Sequence, residues 1–182
     1  MTNYRRIFAP GVTWFFTVNL ARRDNQAMLV EHIEELRQAF RYVKQRRMFQ
    51  IDAIVILPDH LHCIWTLPSG DSDYSTRWNL IKGHFSRHMV KGEAVSASRS
   101  NKRERGIWQR RLWVHWITDQ NDFNRHIDYI HVNPLKHSLV ERVVDWPHSS
   151  FHRYVKQGIY PLHWAGEMDN EFSAGEYLDR MG

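Results

Sequence analysis

His60 and His62 stand two apart in LPDHLHCIW, residues 57–65. On a strand that spacing puts both side chains on one face with Cα atoms about 6.5 Å apart, and Leu61 and Cys63 on the other. Two imidazoles so placed can converge on one divalent ion. The chain has 12 histidines in 182 residues, and shuffling that composition yields about 0.8 such pairs by chance. Spacing alone therefore describes two polar groups on a solvated sheet face equally well. A second group gives the pair meaning. Tyr129 and Asn133 lie four apart in HIDYIHVNP, residues 126–134, hence on one helix face and a turn from each other. A tyrosine beside a metal-bound phosphodiester can attack phosphorus and become a covalent phosphoryl carrier. Asn133 offers a hard oxygen that would complete a His-His-oxygen set for Mg²⁺ or Mn²⁺. The same two residues also fit a core tyrosine with its hydroxyl at the rim and an asparagine ending a helix before proline. His84 and His88 form another pair, four apart, that zinc could use. No Glu flanks His84 as in a zincin motif, so these two read as surface or phosphate-facing groups.

The elements that must hold these residues follow from periodicity. Gly11 to Leu20 is a β-branched and aromatic first strand, and Ala27 to Gln45 carries apolar residues at helical spacing. Ile51 to Leu57 is a second strand, Pro58-Asp59 a turn, and His60 to Thr66 a third strand. A second helix is predicted from about Arg77 to Val90, capped by Ser75 or Thr76. Residues 92–105 form a polar loop, and Ile107 to Thr118 a fourth strand. A third helix is predicted from about Gln120 to His131, stopped by Asn133-Pro134; short helical or turn segments follow. The order β-α-β-β-α-β-α predicts an α+β ferredoxin-like sandwich, with a four- to five-stranded antiparallel sheet and helices mainly on one face.

Composition bounds the rest. A chain of 182 residues, 42% hydrophobic with eight Trp, is long enough for one globular domain. Residues 1–165 are taken as that domain and residues 166–182 as an acidic tail. One cysteine excludes a disulfide framework and a Cys-rich zinc site. Neither a transmembrane run nor a secretory signal is present, so the chain reads as cytoplasmic. The net charge is +5, and its distribution matters more than its size. Residues 99–111 concentrate Lys102, Arg103, Arg105, Arg110 and Arg111, and Arg5 and Arg6 form a basic arm. With Lys82 on the second helix, these are the candidate DNA-binding residues. Trp108 and Trp113 are candidates for stacking on unpaired bases.

Four blocks carry a resemblance: LPDHLHCIW, GIWQRRLWVHWI, HIDYIHVNPLKHSLV and DWPHSSFHRYV. In this order and spacing they resemble the REP-associated tyrosine transposases, a branch of the HUH single-tyrosine transposases and nucleases. The resemblance runs from Tyr4 to about Trp164. It implies a single-strand DNA endonuclease and strand transferase acting at palindromic repeat hairpins in the bacterial nucleoid. It implies Tyr129 as nucleophile and His60 and His62 as ligands of Mg²⁺ or Mn²⁺. Insertion-sequence relatives place a glutamine one turn after the tyrosine; here Asn133 stands there, one methylene shorter, with His131 nearby as a substitute. Those relatives also exchange the tyrosine helix between protomers; a monomer acting in cis is expected here over a homodimer. The rival reading is a non-catalytic RNA-recognition module on the same fold, which would place aromatics where this chain has imidazoles.

Overall fold

The computed structural model describes residues 12–22, 27–91, 95–102 and 104–166. Arg5, Arg6, Arg103 and the acidic tail from residue 167 lie outside the described residues. β1 (Thr13–Asn19) is central. It pairs antiparallel with β3 (His60–Thr66) on one side and with β4 (Trp113–Trp116) on the other. β2 (Gln50–Ile56) pairs with β3, giving the order β2-β3-β1-β4. Four antiparallel strands in this order make the expected ferredoxin-like α+β sheet. Among the described residues no helix is long and apolar enough to cross a membrane.

Strand alternation divides the apolar residues into two cores. Phe16, Val18, Leu61, Cys63 and Trp65 face α2 (Ile33–Arg46) and α3 (Tyr74–His88). Trp65 stacks on Trp78 with ring centres 4.3 Å apart. Each such large side chain contributes roughly 1.5–3 kcal/mol by leaving water. Phe15, Ala53, Val55 and Ile64 point the other way, toward α5 (Gln120–Lys136) and α6 (Phe151–Lys156). The expectation of helices mainly on one face thus holds for α2 and α3 but not for α5. The reason is in the strands: their second face is as apolar as the first and has to be covered.

Local chemistry moves several boundaries. The first helix is divided at His32 into α1 (Met28–Glu31) and α2, because His32 has φ −109° and ψ 38°. α3 begins at Tyr74, with Asp73 rather than Ser75 or Thr76 as its cap; the Asp73 carboxylate accepts from the Thr76 N–H at 3.0 Å. Among the described residues, the polar loop holds one short helix, α4 (Ala97–Asn101). The fourth strand is shorter than Ile107 to Thr118: Trp108 makes only an isolated bridge to Leu20, and regular pairing starts at Trp113. The edge of β2 is sealed by residues 148–150, where the His148 carbonyl accepts from the Ile56 N–H and the Ser150 N–H donates to the Ile54 carbonyl. An open row of strand donors is thereby closed.

Candidate active site

His60 and His62 lie on the β3 face that α5 covers. Register puts His60 opposite Asn19 and His62 opposite Thr17. Both histidines are buried, so the solvated-face reading of the pair does not hold. Their ring centres are 5.0 Å apart with planes at 83°. Each ring is held through Nδ1, His60 by the Asp59 carboxylate at 2.6 Å and His62 by the Thr17 hydroxyl at 2.8 Å. A carboxylate or hydroxyl on one ring nitrogen is the arrangement that orients the other nitrogen toward a metal. His60 Nε2 is buried and has no hydrogen-bond partner among the described residues. Metal–nitrogen bonds of about 2.1 Å meeting near a right angle leave imidazole centres ~4.5–5 Å apart, and the observed separation falls in that range. The donor set fits a divalent ion held by His60 and His62.

α5 brings the tyrosine to this pair. Asp119 caps the helix by accepting from the Asp122 N–H at 2.9 Å. Phe123, Ile127 and Ile130 anchor it to the sheet, all but fully buried. Tyr129 is then 5.2 Å from His62 and 6.1 Å from Phe15, centre to centre. Tyr129 is 5% exposed, and the Lys136 ammonium lies 4.8 Å from its ring centre. The helix does not stop before Pro134, as the sequence suggests, but runs through it to Lys136. Proline has no N–H for the Ile130 carbonyl, yet the next turn closes, with the His137 N–H donating to the Asn133 carbonyl at 3.0 Å. Asn133 is therefore a fully buried residue of the last helical turn, one turn beyond Tyr129, not a terminal cap. His131 is not on this face. Two residues on is about 200° around a helix, and its Nε2 meets the Ser150 hydroxyl at 3.0 Å, with its ring among Phe151, Tyr154 and Tyr160.

Running α5 through Pro134 brings in two residues the sequence reading passed over. Lys136 is one, seven after Tyr129. His137, eight after Tyr129, is the other, its ring 5.1 Å from that of His60. Helical spacing would have found both, had the helix not been ended at the proline. Thr17 was also missed; only the β1–β3 register reveals it.

The basic residues separate into staples and exposed cations. The Arg105 guanidinium donates to the carbonyls of Ser86, Met89 and Val90 and so closes the end of α3. Arg110 donates to Glu104 at 2.7 Å and to Ser98 at 3.0 Å. Lys82 donates to the Gln109 carbonyl at 3.0 Å, and burial, with Arg99 nearby, lowers its pKa to about 8. Lys82, Arg87, Lys91, Arg99, Arg105 and Arg110 line a cavity of about 580 Å³, opposed by Glu104. Its wall reaches the His60 end of the sheet, since the Gln109 N–H donates to the Asn19 carbonyl and Asn19 pairs with His60. Lys102 and Arg111 are exposed. Trp108 is core, packed on Phe85 at 5.3 Å, and Trp113 is half-buried against Phe15; the exposed aromatic of β4 is Trp116, at 51%. His84 and His88 stack at 4.7 Å beside Tyr42, and among the described residues no third His, Cys or carboxylate completes a metal set with them.

Comparison with known proteins agrees with this fold. Residues 16–133 match the family described as "Transposase IS200 like". A REP-associated tyrosine transposase of Escherichia coli is 47% identical over 178 residues, which are 98% of this chain and 99% of the relative. A relative from Haemophilus influenzae is 45% identical over 170 residues, 93% of this chain and 96% of its own. A solved structure of a REP-associated tyrosine transposase bound to a REP hairpin aligns with a TM-score of 0.78 at 46% identity, covering 98% of this chain and 99% of that one.

Proposed function

Because the chain belongs to the IS200-like transposases, and among them to the REP-associated tyrosine transposases, we propose that it cuts and rejoins single-stranded DNA at palindromic repeat hairpins through Tyr129. The observation that carries this reading is the meeting of Tyr129 with His62, 67 residues away in sequence, at 5.2 Å, and of His62 with His60 at 5.0 Å. The two imidazoles would hold Mg²⁺ or Mn²⁺, with the Asn133 side chain as the candidate oxygen ligand. When bound, that ion supplies positive charge against the non-bridging oxygens of the scissile phosphate. Asp59 and Thr17 keep the ring nitrogens aimed.

Tyr129 attacks in line. Its phenolic oxygen bonds to phosphorus, the bond from phosphorus to the 3′ oxygen breaks, and the phenol's proton ends on the departing 3′-hydroxyl. The product is a 5′-phosphotyrosyl enzyme, and attack by another 3′-hydroxyl reverses the step and transfers the strand. Tyr129 is 5% exposed, so a local opening around the phenol would admit the scissile phosphate, with the Lys136 ammonium, 4.8 Å from the ring centre, close enough to meet its charge. Lys82, Lys102, Arg110 and Arg111 supply phosphate contacts around the basic cavity, with Arg5, Arg6 and Arg103 as further candidates. Arg105 serves mainly by holding the cavity's wall. Charge of this kind makes affinity fall with salt. The hairpin bound by the solved relative supports a hairpin as partner. Tyr129 reaches the imidazoles of its own chain, which favours a monomer acting in cis, in the cytoplasm.

The RNA-recognition alternative needs an open sheet face with aromatics for stacking. Both faces here are covered, and the relevant strand carries buried imidazoles. The test is a denaturing gel of protein incubated with hairpin DNA and Mn²⁺. Wild type should give a slow-migrating covalent adduct, and Tyr129→Phe should give none while binding the hairpin with nearly unchanged affinity. An adduct that persists in Tyr129→Phe removes Tyr129 from the mechanism.

A further inference from the structure

A second cluster of ligating groups lies on the same sheet face, separated from the His60–His62 pair by Phe15. His115 projects from β4 opposite Phe15, and Asp122 and His126 lie one turn apart at the start of α5. The Phe15 ring contacts His62 at 5.7 Å on one side and His126 at 4.6 Å on the other. The three groups each offer a ligand atom, and these atoms all lie within 4.8 Å of one another. His115 Nε2 is 2.8 Å from Asp122 Oδ2, and His126 Nδ1 is 3.0 Å from Asp122 Oδ1. The two imidazole rings are 4.7 Å apart and nearly parallel, at 17°.

We propose that His115, Asp122 and His126 bind one divalent transition-metal ion, which ties β4 to the first turn of the helix carrying Tyr129. Two imidazoles and one carboxylate form the mixed nitrogen–oxygen set that suits Zn²⁺, Co²⁺ or Ni²⁺. Bonds of about 2.1 Å meeting at 90–110° span roughly 3.0–3.4 Å, so His126 Nδ1 and Asp122 Oδ1, 3.0 Å apart, fit as they stand, while His115, which lies against the other carboxylate oxygen, has to shift onto the same ion. Protonation supports the set. Burial, only partly offset by the Asp122 carbonyl and carboxylate, holds His126 neutral at pH 7, with a pKa of about 4. Burial tends to raise the Asp122 pKa, but the Thr118 N–H and His115 outweigh it and keep the carboxylate ionised. As the side chains stand, His115 Nε2 hydrogen-bonds the Asp122 carboxylate, His126 Nδ1 hydrogen-bonds the Asp122 backbone carbonyl at 2.8 Å, and the carboxylate also accepts from Thr118. On binding, the His126 proton moves from Nδ1 to Nε2, which leaves Nδ1 free to ligate. His115 and Asp122 are both partly exposed, His115 the more so, and they open the site to solvent, so water can complete the coordination.

The test uses the full chain with His60 and His62 both changed to Ala, which removes the other ligand pair. Zn²⁺ titrated calorimetrically should bind this protein at one equivalent and raise its Tm. On that background His115→Ala, and separately Asp122→Asn, should weaken Zn²⁺ at least about tenfold and abolish the Tm rise. His115→Gln guards against misfolding: it keeps the polar packing and should likewise lose the Tm rise while its circular dichroism stays that of the parent. The proposal is overturned if the His60→Ala, His62→Ala protein is folded and binds no Zn²⁺. It is also overturned if Zn²⁺ binding survives His115→Ala, or is lost instead on changing His84 and His88. None of these outcomes bears on Tyr129 or the hairpin.

Discussion

Replacing Thr17 by Val isolates what orients His62. The Thr17 hydroxyl lies 2.8 Å from His62 Nδ1, and both residues are fully buried. Val keeps the β-branched shape, so the strand and its packing survive while the bond does not. For His62 to ligate through Nε2 its proton must sit on Nδ1, with the hydroxyl accepting it. Without that acceptor a buried N–H loses its partner, at a cost of about 1–3 kcal/mol in stability. Loss of the orienting bond on a metal-bound imidazole weakens the metal about 10- to 100-fold, or roughly 1.4–2.7 kcal/mol. Urea unfolding and Mn²⁺ calorimetry on wild type, Thr17→Val and Thr17→Ser measure both effects. The Ser variant should bind Mn²⁺ within a few-fold of wild type. If Thr17→Val binds Mn²⁺ as tightly as wild type, the hydroxyl does not set the ring and the derivation through Nδ1 is wrong.

Stability should fall on acidification through His126. The unfolded chain takes up this proton near pH 6.5 and the native state only near pH 4, so between those values the unfolded state holds more protons and up to about 3 kcal/mol is lost; urea unfolding at pH 7.5 and 4.5 should show this in wild type and much less of it in His126→Leu. Arg77 is 3% exposed, pairs with Asp71 at 2.7 Å and donates to the carbonyls of Met48 and Asp73. Arg77→Ala should cost about 3 kcal/mol, read as a lower urea midpoint; a change under 0.5 kcal/mol would show that the pair is not structural. Changing Lys102 and Arg111 to Ala should weaken hairpin binding and flatten its dependence on salt by about two phosphate contacts, measured by fluorescence anisotropy from 50 to 200 mM KCl; an unchanged slope would place the DNA elsewhere.

The strands and the histidine face were legible because strand alternation is a strict two-residue rule: once His60 and His62 are on a strand, Leu61 and Cys63 have to point away from them. Tyr129 and Asn133 were legible for the same kind of reason, four residues being about one helical turn. The second covered face was less legible, since residues 51–57 read as buried without saying by what. Pro134 misled in the other direction. Its missing N–H argues for a helix end, but the last turn closes around it, and Lys136 and His137 stayed hidden behind that inference. The basic belt was legible as charge but not as geometry. Which guanidiniums staple carbonyls, as Arg105 does, and which stay exposed, as Arg111 does, depends on contacts between α3 and the loop that follow no period.

The central claim is that the phenol of Tyr129 becomes the phosphoryl carrier. Trypsin cutting after Arg125 and Lys136 would release residues 126–136, HIDYIHVNPLK, which contain one tyrosine and no serine or threonine. The adduct formed with hairpin DNA and Mn²⁺, digested with trypsin and nuclease, should place its nucleotide mass on this peptide alone, with fragmentation assigning it to Tyr129. A nucleotide on the Tyr74 or Tyr154 peptide, or cleaved DNA with no linked peptide at all, would contradict it.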